Sequence, residues 1–362
     1  MTESVLDIPL SAVRDADEFV RAAMEWHFSP STGSPFWLDR AASLDFDPRS
    51  DVKGHDDLTL FPNVVNEMRD VPYEDLIPRG YGDRPPIVGV YESGGTTGAP
   101  KRVVILSDWW EQLLEEVHAR LDVLEVPRGA NWLAMAPSGP HVVGETMVRF
   151  ARDRGGVAFF VDLDPRWVKK LMGAERNDEA GAYMAHLFDQ ARFLLRTQRI
   201  GVLMMTGPML GRLAQHEDLV ELVREKVSTI VWGGASLDPD SLDLLRNEVF
   251  PGITIIGGLG STMIGGGPVM QRPGRTDMSI FDPIPPAITF SVIDPRSGQK
   301  VAYGERGQVV MNHVSRSMLL PNNLERDLAI RVEALPGQVG DAIAEVYPVP
   351  VFEDDAVIEG VY

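Results

Sequence analysis

Five short apolar runs, each closed by a turn or a change of pattern, constrain this chain more than any other feature. They are Trp132–Met135, Val157–Val161, Gly201–Met205, Thr229–Trp232 and Ile253–Ile256. Helical patterns fall between them, at about Ala180 to Thr197 and from Met209–Leu213 onward. Another opens at Asp238–Pro239, where Asp can cap a helix and Pro can fill its first position. Alternation of strand and helix predicts an α/β fold with a doubly wound, mostly parallel sheet. From about Ile280 the pattern turns β-rich, through Ala287–Ile293 and Gly304–Met311, which predicts a separate antiparallel subdomain. At 362 residues the chain holds two or three subdomains. The boundaries expected are a helical and irregular lobe over 1–85, the α/β part over 86–278, the β part over 279–348 and a short remainder over 349–362.

A glycine-rich loop sits ahead of the alternation. Ser93–Gly94–Gly95–Thr96–Thr97–Gly98–Ala99–Pro100–Lys101 lies between the apolar runs Ile87–Val90 and Val103–Leu106. Glycines let the backbone approach a ligand and turn its N–H groups inward. Ser93, Thr96 and Thr97 can donate to phosphate oxygens, and Lys101 can neutralise their charge. The loop does not run into a helix through Gly-Lys-Ser/Thr, so it is not a Walker A loop. A decorated hairpin with no ligand is the plain alternative. The turn after Trp132–Met135 carries His141 and Gly144, at the end of a strand where open α/β sheets place their sites. Gly233–Gly234–Ala235 and Gly260–Ser261–Thr262 close two later strands.

These segments, in this order, resemble the adenylate-forming superfamily, which holds acyl- and aryl-CoA ligases, nonribosomal peptide synthetase adenylation domains and luciferases. Its phosphate loop reads Thr/Ser-Ser-Gly-Thr-Thr-Gly-x-Pro-Lys-Gly; here Gly94 and Arg102 depart from it. Within it the chain is most similar to the phenylacetate-CoA ligase branch and to short members of phenazine antibiotic pathways. The resemblance implies an adenylate-forming large domain with a small β-barrel subdomain. It implies that Ser93, Gly94, Gly95, Thr96, Thr97, Gly98 and Lys101 hold phosphates, and that Gly233, Gly234 and Ala235 lie along adenine. Gly260, Ser261 and Thr262 would face the α-phosphate, Asp327 would take the ribose hydroxyls, and His141 would border the acyl group. Catalytic roles would fall to Lys101, Thr262 and His141.

The implied reaction is attack of a carboxylate, aromatic in this branch, on ATP to give an acyl-adenylate. The family's metal-binding Glu is Met263 here, and a thioether does not hold a hard cation such as Mg²⁺; no metal ligand is expected from the motif. The family hinge appears in degenerate form at Phe352–Glu353–Asp354–Asp355, and the mobile C-terminal domain with its catalytic Lys is expected to be absent. A partner, either a downstream enzyme or a separate C-terminal domain, would then complete transfer. A non-catalytic nucleotide- or acyl-binding protein and a scaffold are the rival classes.

Charge and composition exclude several other functions. A net charge of −19 and a pI near 4.8 disfavour a nucleic-acid partner, whose phosphates reward Lys and Arg. The chain has no Cys, which removes disulfides, thiolate metal sites and a Cys nucleophile. The first residues are not a secretory signal, and no apolar run reaches the roughly 20 residues of a membrane span. A cytoplasmic location is the expectation.

Overall fold

The computed structural model describes residues 4–93, 100–265, 269–274, 278–349, 351–352 and 355–356. The first helix, α1, spans Ala16–Phe28, because the Asp15 carboxylate accepts the amides of Asp17 and Glu18 and closes the helix there. Ahead of it, Leu10–Ala12 is a separate 3-10 turn. Short helices α2 (Pro35–Ala41) and α3 (Pro48–Asp51) each start on a proline behind a side-chain cap, Ser34 and Asp47. The aromatic residues of this lobe form a core: Phe28, Trp37 and Phe46 all contact Phe61. Trp37 Nε1 donates to the Leu319 carbonyl at 2.9 Å, and Trp26 Nε1 to Arg316 O at 2.8 Å. The lobe is thus fastened to the distant β-rich part.

Strands β1 (Ile87–Glu92) and β2 (Arg102–Leu106) form an antiparallel ribbon that joins neither larger sheet. Its backbone tie to the α/β part is Glu92 N–H donating to Pro140 O at 2.8 Å. Helix α4 (Ser107–Val123) follows directly. Neither Ser107 nor Asp108 caps it: Leu106 takes the N-cap position, and Asp108 accepts the Tyr81 hydroxyl instead. Trp109 and Trp110 are buried core residues.

The five apolar runs become strands β3 (Asn131–Ala136), β4 (Ala158–Asp162), β5 (Ile200–Met205), β6 (Thr229–Gly233) and β7 (Thr254–Leu259), and β8 (Val269–Met270) completes the sheet. Their order is β4-β3-β5-β6-β7-β8, parallel except for β8 against β7. The connecting helices are α5 (Val142–Asp153), α6 (Pro165–Gly173), α7 (Asn177–Thr197), α8 (Gly207–Leu213), α9 (Glu217–Lys226) and α10 (Pro239–Leu244). The chain leaves β3 in one direction, to β4, and resumes on its other side at β5. That reversal opens a crevice beyond the carboxyl ends of β3 and β5, where right-handed crossovers send the helices to opposite faces.

The second sheet is antiparallel and curled: β9 (Ile280–Phe281), β10 (Ile288–Ile293), β11 (Arg306–Val314), β12 (Leu319–Val332) and β13 (Ala342–Pro348), in the order β10-β11-β12-β13-β9. It answers to the small barrel expected from the sequence. β12 is its longest strand at 14 residues and is irregular against both neighbours. The two sheets meet at a bridge between Gln271 and Phe281. Beside it the buried Asp282 carboxylate receives Arg272 Nε at 2.9 and 3.1 Å. A second knot joins three parts: His313 of β11 lies 4.3 Å from the Trp109 ring of α4 and hydrogen-bonds Ser315, whose carbonyl meets His27 of α1 at 2.7 Å.

Candidate functional site

A cavity of about 260 Å³ opens at the crevice between β3 and β5, roofed by β12. Ala136, Pro137 and His141 reach it from the end of β3, and Met204 and Thr206 from the end of β5. One wall is polar. Ser93 and Lys101 stand at the base of the glycine-rich loop, closed by two hydrogen bonds: Ser93 N–H to Lys101 O and Lys101 N–H to Ser93 Oγ, both 2.9 Å. Ser261 caps the 3-10 turn Thr262–Ile264, accepting Met263 N–H at 3.2 Å. Its hydroxyl also donates to Glu325 Oε1 at 3.3 Å, and Asn323 Nδ2 donates to the same oxygen at 2.7 Å.

The charges of this wall are half-buried. Burial raises the carboxyl of Glu325 above its ordinary range, the neighbouring Asp327 raises it further, and Lys101 opposes both. Burial also raises Asp327, against the Arg326 guanidinium. His141 is held below the ordinary imidazole range by burial and then by the Arg166 cation. It is therefore neutral at pH 7, able to donate and accept but carrying no charge.

The other wall is apolar. Helix α5 lays Val142, Thr146 and Phe150 along one line and Val143 and Met147 beside it, a helical stripe with no charge. Its charged residues point elsewhere: Arg149 pairs with Glu111 at 2.6 Å and with Asp153 at 2.7 Å. Trp132, Leu121, Met204, Val231 and Met270 complete the lining. Thr146 Oγ1 donates back to Val142 O at 2.9 Å, so this hydroxyl is already engaged.

A smaller cavity of about 120 Å³ adjoins the first and shares Trp232, Gly234, Gly258, Gly260, Arg326 and Asp327 with it. Ala235, Ser236 and Tyr347 line it as well. Gly233 faces Gly258 across the parallel pair, and a Cβ on Gly233 would sit 2.5 Å from Gly258 O. Only glycine allows that approach. Gly234 follows at φ 77°, a left-handed conformation that glycine adopts without strain.

The structure thus brings Ser93, Lys101, His141, Gly233, Gly234, Gly260, Ser261, Thr262 and Asp327 to one cavity, with Ala235 in the adjoining one. Gly94, Gly95, Thr96, Thr97 and Gly98 lie outside the described residues, as does Asp354. Sequence reasoning missed Glu325, Asn323, Arg326 and Arg69, which line the same cavity. It also missed α5, although the spacing of Val142, Thr146 and Phe150 carries a helical period. No group of three or more His, Asp or Glu able to hold a metal occurs among the described residues. At position 263 the lining side chain is a buried thioether, unsuited to a hard cation.

No protein-family model and no curated protein sequence matches this chain. Solved structures do. The chain matches 2-hydroxyisobutyryl-CoA ligase bound to 2-HIB-AMP and CoA in the thioesterification state with TM-score 0.63 and 18% identity, over 92% of this chain and 67% of that one. The same ligase in the postadenylation state with R3-HIB-AMP gives 0.64 and 18%, over 92% and 66%. Its open conformation gives 0.61 and 16%, over 92% and 68%. The chain therefore spans about two thirds of the length of these ligase chains. At such identity the likeness shows a shared fold: that of the large domain of adenylate-forming enzymes, as the sequence led one to expect.

Proposed function

We propose that this chain binds ATP and a carboxylic acid and joins them as an acyl-adenylate. The observation that carries the reading is one cavity with two unlike walls, a polar one holding Lys101, Ser93, Thr262 and Asp327, and an uncharged apolar one from α5 and β3. A carboxylate oxygen attacks the α-phosphorus, the bond from that phosphorus to the bridging oxygen breaks, and pyrophosphate leaves. No protein nucleophile is needed; positioning and charge stabilisation supply the catalysis. Lys101 neutralises phosphate charge, and Thr262 donates to the α-phosphate. Asp327 accepts from the ribose hydroxyls. Gly233, Gly234 and Ala235 give adenine a flat backbone surface without side-chain bulk. The neutral His141 borders the acid without repelling or trapping its carboxylate.

The apolar wall supports an acid with a hydrophobic body, and an aromatic one fits the methionine-rich lining, since thioethers pack well against rings. A role in secondary metabolism of the phenazine type follows from the sequence resemblance. An acyl-adenylate is a reactive mixed anhydride, so a thiol, amine or reducing partner is the natural next step. The rival reading, a nucleotide- or acyl-binding protein without turnover, is favoured by one observation: the cavity lining carries a buried thioether at Met263, where the resemblance would place a metal-binding Glu. Exchange of labelled pyrophosphate into ATP, dependent on an aromatic acid, tests for turnover. Asp327→Ala is expected to weaken AMP binding by about 1–3 kcal/mol, the cost of leaving buried hydroxyls unpaired. Calorimetry showing no AMP or ATP binding by the unaltered protein would remove the reading.

A further inference from the structure

We propose that Met270 sets how far an acid reaches into the cavity, so that the acid this chain takes is compact, a single ring without a tail; the inference rests on the acid-binding reading above. A second cavity, of about 220 Å³, lies on the far side of Met270. Helix α4 lines both cavities from one face, with Leu121 in the first and Val117, one turn earlier, in the second. Among the described residues Met270 alone borders both. It is 2% exposed, packed between the two as their shared partition.

The backbone of this partition is held in place. Met270 lies on β8, which pairs with β7 at Gly258 and Leu259. Its carbonyl accepts Arg120 Nη1 at 3.3 Å, and Arg120 stands 3.7 Å from the buried Asp282 carboxylate. What can change is the side chain, an unbranched thioether of the kind that fills irregular gaps. Leu121, Trp132 and Phe150 close the rest of the apolar end and belong to the continuous core. Size then limits the ligand. An apolar cavity of about 150 Å³ takes a benzene. The first cavity has about 260 Å³ and gives part of it to the polar wall, which leaves room for one ring. The second cavity is lined by Val13, Val117, Val269 and Ile284 as well as by Glu116 and Arg120. An alkyl tail that passed Met270 would therefore find apolar surface there.

The test titrates the full chain with benzoate and its p-methyl, p-propyl and p-pentyl derivatives, followed by ligand-observed NMR. The unaltered protein should bind p-pentylbenzoate at least about tenfold more weakly than benzoate, because even one methylene too many in a closed apolar pocket can cost that much. Met270→Ala should join the two cavities and shift the ratio of the two affinities at least about tenfold towards the longer acid. Val117→Phe, added to Met270→Ala, refills the second cavity and should abolish that shift; a core merely loosened by the first substitution would keep it. Circular dichroism melts establish that each variant is folded. An unaltered protein that binds p-pentylbenzoate as tightly as benzoate would overturn the proposal and leave the acid reading standing, a measurement that needs no variant. So would an unchanged preference in Met270→Ala, or a shift that persists in the double variant. Failure of the unaltered protein to bind any of these acids would overturn the acid reading, and this proposal with it.

Discussion

Arg272→Met will destabilise the protein by about 3–5 kcal/mol, the range for breaking a buried ion pair from one side. The Asp282 side chain is 1% exposed, and Arg272 grips both of its oxygens, through Nε at 2.9 and 3.1 Å and through Nη2. Among the described residues a second cation, Arg120, stands 3.7 Å away. Removing Arg272 leaves a carboxylate in the interior with one weak partner. The pair also marks the seam between the sheets: Gln271 N–H donates to Gly257 O, and Arg272 N–H to Ile280 O. Urea unfolding should show the loss as a lower midpoint. Arg272→Met combined with Asp282→Leu should recover most of it, because the stranded charge is gone. A single variant as stable as the parent would mean that the seam does not depend on the pair.

Acid will unfold the protein earlier than its surface carboxylates alone would. His27 and His313 are fully buried and neutral. Burial lowers His27 to about 4 and His313 to about 3 from an ordinary 6.5, with His27 adding to the depression of His313. The unfolded chain binds these protons at a higher pH than the native one. Stability that is complete above pH 6.5 is therefore lost progressively as pH falls towards 4 and 3. A depression of this size on His27 alone amounts to about 3 kcal/mol at the lower end. The raised carboxyls of Glu325 and Asp327 act in the opposite sense and soften the loss. Melting temperatures at pH 7, 5.5 and 4.5 should fall in that order, and His27→Asn should flatten the trend. An identical melt at all three would contradict the buried, neutral state of the pair.

Where the physics was local, the sequence could be read. The inner strands of the parallel sheet are mostly apolar runs, because both of their faces are covered, and each ends at the turn its glycines and prolines announce. Gly233–Gly234 and Asp327 could be picked out only through their place in the order of the family resemblance, and the fold gathers them into one cavity. Glu325 could not. A charged residue two places before an Asp in a strand reads as solvent-facing, and only the position of β12 across the cavity from the ends of β3 and β5 turns it inward. Arg69 was hidden in the same way: its turn looks irregular, and its place in the cavity wall depends on a lobe assembled from distant pieces. The start of α4 shows a local choice of another kind. Asp108 had two uses, helix cap or partner to Tyr81, and tertiary contact chose the second.

The β1–β2 ribbon is flanked by Ser93 and Lys101. Its described ties to the turn holding His141 and to α6 include one peptide hydrogen bond and the Glu92 carboxylate, which meets Arg166 of α6 at 2.6 Å and also Arg102 of its own ribbon at 3.1 Å. The two guanidinium side chains are 40% and 48% exposed. At physiological ionic strength charges are screened over about 8 Å, and concentrated salt shortens that further. Ionic strength thus acts on the grip between the loop that would hold phosphates and the turn that would border the acid. The two halves of the site are coupled through a contact that dissolved ions can loosen without disturbing either sheet.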